Sequence, residues 1–204
     1  MIIFDIETGP LPLAELDALA PEFKPAANLK DPEKIKASIE EKRNEYYERA
    51  ALSPVTGEVL AIGLDYGNSG QVLGRDVFSE KGMLEMFWDA VEDLEQFCGF
   101  NIAHFDLPFL IRRSMKYGLK VPRVFINNRY LTDQFIDLML VWKCGVYDDN
   151  ISLDRLARFL GVGKKNGNGK DFAKLWVEDR PKALEYLRQD LALTKACAER
   201  LLPS

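Results

Sequence analysis

The sequence holds a single histidine, His104, and only three cysteines, Cys98, Cys144 and Cys197, in 204 residues. Each scarcity removes a class of chemistry. A zinc site needs more nitrogen and sulfur ligands than this chain clusters. The cysteines are odd in number, scattered and never paired as C-x-x-C, which argues against a disulfide framework and a zinc knuckle. They read as small core residues of a cytoplasmic protein. A serine or cysteine triad would have to recruit His104, and no nucleophile elbow accompanies it. No apolar run reaches the length of a membrane span. The first strand starts at Met1, so no signal peptide is expected. Enzymatic chemistry, if present, is therefore expected to run on carboxylates.

These are plentiful: 32 Asp plus Glu against 27 Lys plus Arg, for a net charge of −5. That balance offers no general polyanion-binding surface. Acids that serve as metal ligands are neutralised on loading, however, so the charge does not exclude nucleic acid as a partner. With 47% hydrophobic and 29% charged residues, the composition is that of a globular protein, and the length suits one α/β domain spanning 1–204.

The opening run Met1-Ile2-Ile3-Phe4-Asp5-Ile6-Glu7 is β-branched and aromatic, closed by Thr8-Gly9-Pro10, and reads as a central strand covered on both faces. Alternation puts Asp5 and Glu7 on one face and Phe4 and Ile6 on the other. Side-by-side carboxylates at the end of a buried strand repel each other and lose hydration. Two readings stand: solvated acids at a strand end, or ligands of a hard divalent ion.

Along the chain, the Pro- and Ala-rich residues 11–30 read as a loop. Asp31-Pro32-Glu33 then opens a charged helix over 31–50, as N-cap, first helical position and first-turn acid. It is either a solvated helix packed on one face or a cleft-side helix bringing Lys42, Arg43 and Arg49 to a phosphate chain. A second strand spans 59–64, and Gly67-Asn68-Ser69-Gly70 connects it as a hairpin to a third over 71–77. Apolar residues at 83, 84, 87, 91, 94 and 97 describe a helix capped by Ser79. Gly99 to Asp106 reads as a short strand running into a helix that begins near Asp106 and ends near Gly118. Asp106 at a helix start reads first as a cap.

Farther on, Asn127-Asn128-Arg129 and 147–150 read as turns, and 135–138 as a short strand or the start of a helix. Ser152 caps a helix that Gly161 stops. Residues 163–170 form a basic loop, either a solvated linker or a phosphate-contacting segment. The last helix, from Pro181, carries a continuous apolar stripe with Tyr186 and Asp190 stacked four apart on its flank.

Three stretches form a pattern: Phe4-Asp5-Ile6-Glu7-Thr8-Gly9-Pro10, then Asn101 through Phe105-Asp106-Leu107-Pro108, then Tyr186-x-x-x-Asp190. Together they resemble the DEDD (DnaQ-like) superfamily of 3′→5′ exonucleases, in its tyrosine subgroup, and within it the exonuclease domains of family B DNA polymerases. The histidine subgroup would place its base at Glu185; here a tyrosine falls one position later. The resemblance implies a ribonuclease H-like fold, a mixed five-stranded sheet with helices on both faces; the charged segment 31–50 departs from the family pattern as a helical insertion. It implies catalytic roles for Asp5, Glu7, Asp106, Tyr186 and Asp190. Asp5, Glu7 and Asp190 would hold one Mg²⁺, Asp5 and Asp106 a second, with Mn²⁺ expected to substitute. Tyr186 would orient the attacking water, and Thr8, Asn101 and Phe105 would contact substrate. His104 is expected to be a loop residue.

The function implied is a stand-alone exonuclease on single-stranded 3′ ends, DNA before RNA, with a polymerase or another replication or repair protein as a possible partner in trans and no membrane. The rival is a catalytically inactive nucleic-acid-binding or polymerase-associated module. An unrelated metal-dependent hydrolase is a third reading, and it would leave the Tyr186/Asp190 pair unexplained.

Overall fold

The computed structural model describes residues 1–67, 69–92, 96–122, 135–165 and 172–202. It resolves into two compact units, Met1–Glu7 with Val59–Ser204, and Thr8–Glu58. The chain passes from one to the other within β1 (Ile2–Pro10) and returns within β2 (Gly57–Asp65). These strands join β3 (Gly70–Gly74), β4 (Phe97–Gly99) and β5 (Phe135–Asp137) in one five-stranded sheet of order β3-β2-β1-β4-β5. β2 and β3 are antiparallel, while β1, β4 and β5 run parallel. This is the mixed sheet expected.

The central position of β1 explains its apolar sequence. Ile2, Phe4 and Ile6 enter one core cluster and Ile3 enters another on the opposite face. The first cluster takes Met83, Leu84, Phe87, Trp88 and Val91 from α3 (Glu80–Glu92), and Leu107, Phe109 and Leu110 from α4 (Asp106–Lys116). The second is built from four helices: α5 (Leu138–Lys143), α6 (Leu153–Leu160), α7 (Phe172–Glu178) and α8 (Arg180–Leu201). Helices thus cover both faces. The caps form as the sequence indicates: the Ser79 and Ser152 hydroxyls accept the Gly82 and Arg155 N–H groups, and Gly161 ends α6 at φ 69°.

The smaller unit has its own cluster of Leu11, Leu16 and Ala50, against which Tyr46 and Tyr47 pack. Its helices are αA (Leu13–Leu19) and αB (Pro32–Glu48). Asp31 caps αB by accepting the Glu33 N–H at 2.9 Å. No residue of αB is fully buried. Lys42 donates to the Lys24 carbonyl at 2.9 Å, Arg49 pairs with Glu45 at 2.9 Å and Arg43 lies over the Tyr47 ring. All three cations are thus engaged inside their own unit.

Several boundaries differ from the sequence reading. αA lies inside the expected 11–30 loop, where one buried leucine, Leu16, suffices to anchor a short helix that begins directly after Pro12. α7 was not expected at all. β3 stops at Gly74, because the backbone turns there: Val77 and Phe78 donate to the Gly74 carbonyl at 3.1 and 3.0 Å. Phe97 fits the helical period of α3 by spacing alone, yet belongs to β4, where it pairs with Ile2 and Phe135. Cys98 and Cys197 are buried as expected, but Cys144 is exposed at the end of α5. The turn expected at 127–129, the apolar position 94 and the loop residues 166–170 fall outside the described residues.

One buried ionic cluster ties the first face together. Glu80, 2% exposed, accepts Arg113 Nε at 2.8 Å and Nη2 at 2.6 Å, the Tyr117 hydroxyl at 2.7 Å and the Val59 N–H at 2.8 Å. Burial alone would raise the Glu80 carboxyl, but these donors outweigh it and hold the group below its ordinary value of 4.5. A depressed carboxyl contributes stability above the unfolded-chain value and loses it as pH falls through the folded value. Arg113→Met leaves Glu80 charged and unpaired, and should cost about 3–5 kcal/mol at pH 7 by urea denaturation. The gap to the parent protein should narrow as pH falls through the ordinary glutamate value of 4.5 toward the lower folded value, where Glu80 protonates. A constant gap would show that the arginine acts through packing alone.

Candidate active site

The site grows from β1 and the chain on either side of it. Asp5 and Glu7 leave β1 on one face, beside β4. A Cβ at Gly99 would come within 2.8 Å of the Phe4 carbonyl oxygen, so the close approach of β4 requires glycine there. After β4 the backbone folds into a tight turn, with Asn101 in the left-handed region at φ 62°. His104 and Phe105 both donate their N–H groups to the Asn101 carbonyl, at 3.2 and 3.1 Å.

Asp106 opens α4 but does not cap it. The cap position is Phe105, which offers no side-chain acceptor, and Asp106 Oδ1 instead accepts the Ile6 N–H of β1 at 3.0 Å. This carboxylate is tied to the strand that carries Asp5 and Glu7. α8 supplies Asp190, 4% exposed, and Tyr186 one turn before it, 9% exposed.

Asp5, Glu7 and Asp190 come together: each offers a carboxylate oxygen, and these oxygens all lie within 4.8 Å of one another. Burial and mutual repulsion set their acidity. Burial, then the Asp190 charge, pushes Asp5 up to about 7. Burial and the neighbouring acids hold Glu7 and Asp106 well above the carboxylate range. Asp190 is also raised, because burial outweighs its partner. Acids so destabilised as anions gain from a cation, and an all-oxygen donor set fits a hard divalent ion.

Asp190 already has one cationic neighbour. Lys165 Nζ lies 2.6 Å from Asp190 Oδ2 and 5.3 Å from the centroid of the Tyr186 ring. Burial opposes its charge, yet Asp190 prevails and holds the ammonium above the ordinary lysine value. The backbone places it there, since Lys165 N donates to Asp154 Oδ1 at 2.8 Å. Within the basic stretch 163–170, nothing in the sequence singles out Lys165. No local signal separates it from Lys164.

A cleft of about 540 Å³ collects Asp5, Glu7, Asn101, Phe105, Asp106, Lys165 and Asp190, with Met139, Ile151, Ser152, Leu153 and Asp154 on its wall. Two expected site residues do not line it. Thr8 falls in the smaller unit, where its hydroxyl donates to the Ala51 carbonyl at 2.7 Å. Tyr186 lies one helical turn from Asp190 under the Lys165 ammonium; its buried hydroxyl has no hydrogen-bond partner among the described residues. His104 is an exposed turn residue, as expected.

A family model described as a predicted 3′-5′ exonuclease related to the exonuclease domain of PolB matches residues 55–194. The chain belongs to this family. The matched stretch carries Asn101, Phe105, Asp106, Lys165, Tyr186 and Asp190, whereas Asp5 and Glu7 precede it. The fold is also that of part of the family B DNA polymerase from the hyperthermophilic archaeon Pyrobaculum calidifontis, at a TM-score of 0.68 and 20% identity over 99% of this chain. The chain spans 24% of the length of that polymerase. No curated protein sequence matches it. Membership of the PolB-related exonuclease family makes nuclease activity the coarse expectation, and the ribonuclease H-like architecture agrees with it.

The electrostatics of the cleft give opposite signs for two substitutions. Asp5→Ala removes one member of a repelling cluster and should raise the melting temperature at pH 8 in EDTA by about 2–4 °C, the equivalent of ~1 kcal/mol in a chain of this size. Lys165→Met should lower it by a similar amount. Differential scanning fluorimetry reads both. Two shifts of the same sign would mean that packing, not charge, governs these positions.

Proposed function

We propose that the protein is a divalent-metal-dependent 3′→5′ exonuclease hydrolysing phosphodiester bonds from single-stranded ends, DNA in preference to RNA, with residues 1–204 acting as one exonuclease domain and 31–50 as an insertion. The observation that carries this reading is the convergence of Asp5, Glu7 and Asp190 from two segments more than 180 residues apart, with Asp106 bonded to the same strand. Asp5, Glu7 and Asp190 would hold one Mg²⁺ or Mn²⁺, and Asp5 and Asp106 a second. When bound, such ions activate the attacking water and relieve charge on the departing 3′ oxygen.

The protein's own groups supply position. The Ile6 N–H fixes the Asp106 carboxylate. Tyr186 keeps its proton at neutral pH, since burial pushes its hydroxyl above the ordinary tyrosine value. It therefore suits orientation of a water molecule rather than proton abstraction. A buried hydroxyl beside Lys165 and Asp190, with no hydrogen-bond partner among the described residues, supports that role. Phe105 and Asn101 line the cleft, where the ring would stack on a terminal base and the amide would contact its sugar or phosphate. Thr8 would join them as a substrate contact only by releasing the Ala51 carbonyl. A polymerase or another replication or repair protein remains the proposed partner in trans. The three free cysteines support a cytoplasmic setting.

The test is a gel assay on 5′-labelled single-stranded DNA and RNA of one sequence, with Mg²⁺, Mn²⁺ or EDTA. The expected result is a metal-dependent ladder shortening from the 3′ end and abolished by Asp5→Ala. Tyr186→Phe should slow single-turnover cleavage by about tenfold or more while leaving Mn²⁺ affinity unchanged. Absence of product with either polymer and either metal would replace this reading with that of an inactive binding module. An unchanged single-turnover rate in Tyr186→Phe would remove the tyrosine from the mechanism.

A further inference from the structure

Asp137 is a buried carboxylate that the mechanism above does not use. It ends β5 opposite Gly99 in the parallel register and is 2% exposed. Its Oδ1 accepts the N–H of Asn101 at 2.8 Å and that of Met139 at 2.9 Å, while Oδ2 accepts the N–H of Ala103 at 3.0 Å. Capping α5 explains only the Met139 bond. The other two reach across the sheet, 36 and 34 residues back in sequence, into the turn between β4 and α4.

That turn is held in an uncommon conformation. Asn101 sits at φ 62°, a left-handed conformation that asparagine adopts more readily than most residues with a side chain. Ile102, fully buried, pins the turn from below. The Asn101 and Ala103 N–H groups point at one carboxylate, and Asn101 and Phe105 of this turn line the cleft. Three donors converging on two oxygens need a side chain that accepts at both, which a carboxylate provides. An amide would set an NH₂ against an N–H.

We propose that Asp137 is a positioning residue that sets the backbone of the Asn101–Phe105 turn so that Asn101 and Phe105 face a single-stranded 3′ end. The inference rests on the exonuclease reading for what occupies the cleft. It assigns Asp137 to the nucleic-acid end and not to the metal acids: Asp106 is held separately by the Ile6 N–H.

Equilibrium binding separates the possibilities. The probe is a 5′-fluorescein-labelled single-stranded oligodeoxynucleotide, followed by anisotropy in Ca²⁺ to suppress cleavage, with Mn²⁺ affinity measured by calorimetry on the same proteins. Asp137→Asn should weaken oligonucleotide binding about tenfold, equal to roughly 1.4 kcal/mol, and leave Mn²⁺ affinity within about twofold. Asp137→Ser preserves a helix cap for α5 but is too short to reach the turn, and it should show the same loss. Asn101→Gly tolerates φ 62° without the side chain. If Asp137 acts through this residue, Asp137→Asn should add little to the loss already present in Asn101→Gly.

Unchanged oligonucleotide affinity in both Asp137 variants would overturn the inference. So would a parallel loss of Mn²⁺ affinity, which would make Asp137 a support of the whole site. A parent protein that binds the strand but does not cut it in Mg²⁺ would refute the exonuclease reading and leave the positioning role standing. A parent protein that binds no strand would refute both.

Discussion

Mutual repulsion among Asp5, Glu7, Asp106 and Asp190 is the constraint on which the rest of this structure depends. Each carboxyl is held above its ordinary value by burial, and Asp5, Glu7 and Asp106 also by neighbouring acids. Such a cluster opposes folding, so the two apolar faces of the sheet must offset it. β1 makes this possible because its alternate residues, Ile2, Phe4 and Ile6, pack on the opposite side from the acids. A single strand thus carries both the anchor and the strain.

The polar groups around the cluster divide the work of holding it. The Ile6 N–H fixes Asp106 and Lys165 offsets the charge of Asp190, while Asp137 holds the neighbouring turn that carries Asn101 and Phe105. Behind the first face, the Glu80–Arg113 pair joins β2, α3 and α4 through contacts that are almost fully buried. Breaking such a network by removing one partner is costly, because the other charge stays in low dielectric. Rigidity at the site therefore comes from charges satisfied elsewhere, while the cleft keeps four carboxyls raised above their ordinary values.

Function and fold rest on different portions of the chain. The family match begins at residue 55, so it omits β1 and nearly all of the unit Thr8–Glu58. Structural likeness to the archaeal polymerase extends over 99% of the chain, at an identity that speaks only to the fold. Asp5 and Glu7 thus join the site by geometry, through oxygens within 4.8 Å of Asp190.

The sequence by itself determined the central strand, the acid pair on one of its faces, the caps at Ser79, Asp31 and Ser152, and the long final helix with Tyr186 stacked on Asp190. All of these are local, governed by alternation of period two, a helical period or a capping side chain. It did not reveal αA and α7, which are short and give too few turns for a period to register. Nor did it foresee that Asp106 would pass over its own helix terminus to bond with Ile6, or that Lys165 and not Lys164 would reach Asp190. Asp137 and Glu80 looked like ordinary acids beside a strand and in a first helical turn. Apart from the capping bond from Met139 to Asp137, their partners lie between 21 and 37 residues away, and only the tertiary fold brings those donors within 3 Å. Local periodicity decided which elements form; the pairing of buried charges was decided by packing, because a buried carboxylate is tolerated only where distant donors converge on it.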